Sequence, residues 1–237
     1  MGLGKTCLSA AVASLVICET SLLASGPLSS SKNLLAMEPG AFARSLKTAR
    51  PLPVSGEDKA RVLSSLPEEG EVTNLDAAAR QKLATLVDVL RATERASVYE
   101  IKVIAVPQAA VGLHARAVIL ISEAALTLLD ADELQALMAH EIGHEYVWTE
   151  RERAFSLADR KGLKDLEFVC DAIAIVMLHE LGMDASRLMT GIQKIGRFNR
   201  QRFGTATNEK DYPTVAQRQA FAGAVTAWIS ARTTGTR

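Results

Sequence analysis

Two histidines four residues apart flank a glutamate in the stretch His140-Glu141-Ile142-Gly143-His144, within an apolar run that begins at Leu134. On an α-helix, residues four apart lie on one face, so both imidazoles can be turned toward one cation. Glu141 is offset by about 100° around the helix. From there its carboxylate can reach a water on the cation without being a ligand itself. Two neutral nitrogen ligands with a base beside them are what a zinc hydrolase requires. The chain has only 4 histidines, so coincidence is a poor account of this spacing.

A catalytic zinc usually takes three protein ligands and keeps one position for water. A three-histidine site would need glycine at 147 and histidine at 150, and these positions are Val147 and Glu150. The third ligand is then expected to be a glutamate. Of Glu145, Glu150, Glu152, Glu167 and Glu180, the first three lie too close along the chain to fold back on the metal. Glu167 falls on the next expected helix, with Asp171 one turn later on the same face. A carboxylate at 171 suits the outer partner of a zinc-bound histidine, fixing its tautomer. His114 reads as a loop residue, His179 as a helix-end residue and Cys170 as a small buried one.

These residues need elements to position them. A chain of 237 residues with 48% hydrophobic and 23% charged residues can bury one sizeable core. Its formal net charge of zero gives no electrostatic footprint for nucleic acid. Residues 1–26 read as an export signal. Lys5 precedes an uncharged run from Cys7 to Cys18, and the small residues Ala24-Ser25-Gly26 follow. Export implies a periplasmic or extracellular location, with membrane association if the segment is retained. Once it is removed, Cys170 alone remains, which excludes a disulfide within the mature chain. Residues 27–72 hold five of the seven prolines and read as a loosely ordered leader with one or two short helices.

The domain proper is expected over residues 73–237. Leu75, Ala79, Leu83, Leu86, Val87 and Leu90 form a helical stripe. Residues 98–106 alternate as a strand, Ala117–Ile121 reads as a second, and residues 108–116 as the loop between them. Ser122 caps a short helix. Asp130 with Glu133 gives a capping-box start to the motif helix, which is expected to run to about Trp148. The charged stretch 150–164 is expected to be solvated. Helices then follow over 166–181 and from Asp184 to about Ile195, with a loop over 197–211. A last helix opens with Thr214 and Gln217 and carries Phe221, Val225 and Trp228.

The pattern Ala139-His140-Glu141-Ile142-Gly143-His144, with Glu167 and Asp171 downstream, resembles the gluzincin metallopeptidases of the HtpX and Oma type, peptidase family M48. The resemblance covers about residues 75–225. It implies a mostly helical α+β fold, a zincin-like domain with the active-site helix beside a small sheet. It also implies one zinc ion on His140, His144 and Glu167, Glu141 as general base, and protein or peptide substrates cut by an endopeptidase in envelope quality control or processing. The sheet's edge strand is expected to hold the substrate in extended form, and Ala117–Ile121 is the segment expected there. The family pattern carries a histidine-proline pair and a later arginine. Here Tyr212-Pro213 and Arg218 stand at those places, which makes Tyr212 and Arg218 candidate catalytic donors. The rival reading is a non-proteolytic, zinc-containing binding protein with a chaperone-like role. The intact Glu141 argues against it, because a structural site has no use for a base.

Overall fold

The computed structural model describes residues 28, 30–49, 53–65, 70–92, 98–204 and 212–233. The expected export signal lies outside the described residues. The elements in order are α1 (Ser31–Ala36), α2 (Pro39–Thr48), α3 (Gly56–Ser65), α4 (Ala77–Ala92), β1 (Glu100–Ile104), β2 (Val111–His114) and β3 (Val118–Ser122). Then follow α5 (Glu123–Leu128), α6 (Ala131–Tyr146), α7 (Trp148–Ser156), α8 (Arg160–Glu180), α9 (Ser186–Phe203) and α10 (Val215–Thr233). This is the mostly helical α+β arrangement expected, with one small sheet.

Helix α6 runs through the centre, and the core is built around it. Its start is fixed by a full capping box: Asp130 accepts from the Glu133 backbone N–H while Glu133 reaches back to that of Asp130. From Glu133 to His140 every residue is buried, as expected of a helix packed on all sides. Helix α4 covers one side with Leu86, Val89 and Leu90. There the Gln135 side-chain amide donates to the Thr85 carbonyl. Helix α8 covers another side and is buried continuously from Val169 to Leu178. Helix α6 ends at Tyr146, two residues short of the expected end. The buried, β-branched Val147 leaves the helical region there (φ −119°, ψ 16°) and turns the chain into α7.

The sheet corrects one expectation. Its strand order is β1-β3-β2, with β1 parallel and β2 antiparallel to β3. The segment expected at the edge is therefore the central strand. Val118, Ile119, Ile121 and Ser122 are buried, covering both faces, and this is why β3 reads as a continuous apolar run. The edge beside α6 is β2, which lies inside the segment expected to be a loop. Helices α8 and α9 also outrun their expected limits. Helix α9 continues past Ile195 because Phe198 extends its half-buried stripe with Ile192 and Ile195. It stops where Gly204 takes the left-handed backbone (φ +66°).

The stretch expected as a leader carries α1, α2 and α3. Helices α1 and α2 lay Leu34, Phe42 and Leu46 into the core. The Phe42 ring meets Trp228 of α10 edge to face, 5.9 Å between centroids, and the Trp228 indole N–H donates to the Met37 carbonyl. Ser31 bonds to Asp165 of α8 through both its backbone N–H and its hydroxyl. Phe42→Ala is expected to cost about 3–5 kcal/mol in urea unfolding of the full chain. A change within about 0.5 kcal/mol, the range of a surface site, would show that α2 contributes nothing to the domain.

Candidate metal centre

Helices α6 and α8 pack tightly against each other at Gly143. A Cβ at this position would lie 3.1 Å from Cys170 Cα and 3.2 Å from the Cys170 carbonyl oxygen. Glycine is thus needed here for closeness rather than for an unusual backbone angle. The approach brings one face of α6, with His140 and His144, against one face of α8, with Glu167 and Asp171. His140 Nε2 lies 3.4 Å from Glu167 Oε2, and His144 Nε2 lies 3.7 Å from Glu167 Oε1. A tetrahedral zinc site with bonds of about 2.0–2.2 Å has ligand-to-ligand edges of about 3.3–3.6 Å. The three side chains therefore fit the group that the donor set implies. Ligand atoms of His140, Glu141 and His144 also lie within 4.8 Å of one another, so proximity alone would admit Glu141 as the third ligand. Glu167 reaches both imidazoles from α8, whereas the Glu141 carboxylate accepts from the β2 backbone, so Glu167 is the better third candidate.

The surrounding groups fix protons and charge. His140 Nδ1 lies 2.9 Å from Asp171 Oδ1, which directs the Nε2 lone pair to the centre. Arg218 of α10 donates through Nη1 to Asp171 and through Nη2 to Glu167. His144 Nδ1 lies 3.3 Å from Cys170 Sγ. Burial disfavours the charged form of His140, yet its hydrogen bonds to Asp171 and Glu167 prevail and raise it to about 10. Burial lowers His144 to about 3, which keeps it the neutral imidazole a ligand must be. Burial works against ionised Glu167 too, but His140, His144 and Arg218 hold its carboxyl well below the usual range. At about 10, His140 holds a proton at neutral pH in the metal-free chain, so a cation must displace that proton to bind Nε2.

Glu141 faces β2. The Leu113 backbone N–H donates to Glu141 Oε2 at 2.9 Å, so this residue of β2 points toward α6 and away from β3. In contrast, Ala110 accepts from the Ser122 N–H and faces β3. The alternation of an antiparallel pair then turns the backbone groups of Val111 outward with those of Leu113. Burial raises the Glu141 carboxyl above its ordinary value, and Glu167 adds to the rise. A cleft of about 480 Å³ opens over this edge, lined by β2, the motif residues, Trp148, Arg151, Ile192, Tyr212 and Arg218.

All seven site residues singled out in the sequence line this cleft or lie directly behind it. Tyr212 stands at the cleft 38% exposed, its hydroxyl beside Arg151, which also lines the cleft. Arg218 is buried, its two Nη atoms spent on carboxylates. His114 lies on β2 but not in the cleft lining, and His179 is exposed at the end of α8. The sequence reading missed three features: β2, Arg151 and the contact of Cys170 with His144. Arg151 was hidden in a charged run, and nothing in local spacing marks a cysteine 26 residues from its partner.

Gly143→Ala tests the seam. In an open helix this change stabilises by about 1 kcal/mol. Here it is expected to cost about 1–3 kcal/mol by forcing α6 from α8, read by urea unfolding together with a loss of metal affinity. A stabilised variant would show that the close approach is not required.

Residues 75–164 match the model of a family described as peptidase family M48. The match spans α4, the sheet and α5 to α7, and thus His140, Glu141 and His144, and it ends before Glu167. No curated protein matches the chain. Over the segment that carries the motif helix, at the centre of the core with its two imidazoles turned toward one point, the chain is thus similar to peptidase family M48, a family of metallopeptidases.

Proposed function

We propose that the chain is a zinc endopeptidase that takes an extended polypeptide along β2. The observation that carries this reading is the Glu141 carboxylate, placed between the imidazole pair and an open strand edge. His140, His144 and Glu167 would hold the ion. When bound, zinc supplies Lewis acidity to the scissile carbonyl and lowers the pKa of water. Nitrogen and carboxylate ligands in this geometry suit zinc.

The chain's own residues do the rest. The outward backbone groups of Val111 and the outward carbonyl of Leu113, whose N–H is held by Glu141, can pair with a substrate strand and set its register over α6. Glu141 takes the proton of the attacking water and returns it to the leaving amine, and its raised pKa suits both halves of that transfer. Arg218 holds Glu167 and Asp171 in place. Tyr212 carries a single O–H donor, and the neighbouring Arg151 can only donate, so the phenolic O–H is not spent on it. The O–H is then left to donate to a developing oxyanion.

Residues 1–26 support export to an envelope or extracellular location, where the enzyme would serve protein quality control or processing. No helix among the described residues is long and apolar enough to cross a membrane, so membrane attachment would be through the N-terminal segment.

Glu141→Gln is expected to keep zinc at wild-type stoichiometry and to lower casein hydrolysis by about 10²–10⁴-fold. Hydrolysis at the wild-type rate would remove Glu141 from the reaction. Glu167→Ala is expected to bind zinc about 10–100-fold more weakly or worse in a chelator competition. Unchanged affinity would show that the third ligand lies elsewhere.

A further inference from the structure

The two imidazoles of the motif are held by different chemistry. His140 turns Nδ1 to Asp171 Oδ1, 2.9 Å away. His144 turns Nδ1 to the sulfur of Cys170 at 3.3 Å. Glu167 lies on the other side of that ring, 3.7 Å from Nε2, and does not compete for Nδ1. Cys170 is fully buried, and its own Cα and Cβ form the wall that Gly143 packs against. The sulfur therefore has a fixed place relative to α6. His144 is itself 7% exposed, so water is a poor substitute partner for its Nδ1.

We propose that Cys170 is a positioning residue of the metal centre: its sulfur accepts the His144 Nδ1–H and thereby presents the Nε2 lone pair to the ion. This inference rests on the proposed zinc site and deepens it. A neutral imidazole carries one proton, on one nitrogen or the other. A ring that binds through Nε2 must carry it on Nδ1, where a buried N–H without an acceptor is costly. A thiol sulfur is a weak acceptor, far weaker than a carboxylate. It sets the orientation of His144 while adding less to its basicity than Asp171 adds to that of His140. The centre thus has one firmly held imidazole ligand and one softly held one, and Cys170 decides which is which.

The test uses the full chain with Cys170→Ala and Cys170→Ser, zinc affinity measured by competition with a chromogenic chelator, and circular dichroism of the metal-free proteins. Cys170→Ala is expected to weaken zinc binding about 10–100-fold with the metal-free fold retained. Cys170→Ser, which restores an acceptor on a smaller atom, is expected to recover most of that loss. Equal losses in both variants would mean that the sulfur only fills space, and wild-type affinity in Cys170→Ala would overturn the proposal outright. Should Cys170→Ala fail to fold, infrared spectroscopy of the wild-type chain decides. The S–H stretching band absent from Cys170→Ser is expected to shift on zinc addition, when the His144 N–H comes to bear on the sulfur. A band that stays in place would overturn the assignment. A wild-type chain that binds no zinc would instead sink the site itself, which separates that failure from a failure of the Cys170 role.

Discussion

Taken singly, each charge at the seam between α6 and α8 would be strongly destabilising, because burial strips it of water. They are stable only as a set. Glu167 and Asp171 come from α8, Arg218 from α10, and the imidazoles they face from α6. The depressed Glu167 carboxyl shows that its partners more than offset its desolvation. Three helices are consequently bound together by the same groups that create a site for a cation. Neither the packing nor the chemistry can be altered alone. A larger residue at Gly143 would move the imidazoles away from Glu167, and a lost partner leaves a buried charge without its counterpart.

A second constraint sets the height of the β2 edge. The turn from β2 to β3 runs through Ala115 (φ 45°) and Arg116 (φ 61°), a left-handed backbone that residues other than glycine adopt at a cost of about 1–2 kcal/mol each. The compensation lies in the Arg116 side chain. Its Nε donates at 2.9 Å to Glu145, whose side chain is fully buried, and its guanidinium sits 5.8 Å over the Trp148 ring. Glu145 follows His144 directly, so the hairpin is tied to the motif helix one residue past a proposed ligand. That tie holds β2 where the Leu113 N–H can meet Glu141. The strained turn and the buried ion pair are thus parts of one device.

Much of this was legible in the sequence because local rules and tertiary packing agree. The capping boxes at Asp130 and Thr214 are made as their spacing implies. The i, i+4 spacing that paired His140 with His144 also placed Glu167 with Asp171, since one helix face packs on another. The failures have physical causes. Strand β2 has four residues, all half-buried, with Gly112 interrupting any alternation, so periodicity gave no signal. Strand β3 is apolar on both faces, which marks a central position rather than an edge. Helices α1 and α2 bury only a few residues each among prolines and serines, and their packing on α8 and α10 comes from partners more than 100 residues away.

Tyr212 stands where the resemblance leads to an expected histidine, and the difference has a definite electrostatic consequence. A protonated imidazole brings a donor and a positive charge together, and loses both as pH rises through its pKa. A phenol brings the donor without the charge. Burial, together with Glu167, pushes the Tyr212 hydroxyl above its ordinary value, so it stays protonated across neutral pH. Arg151, beside that hydroxyl and always charged, supplies the missing positive potential. On the proposed reading, two residues from separate elements divide what one histidine would do. The electrostatic support for an oxyanion at this cleft would then not titrate away on the alkaline side, as it would from a protonated imidazole.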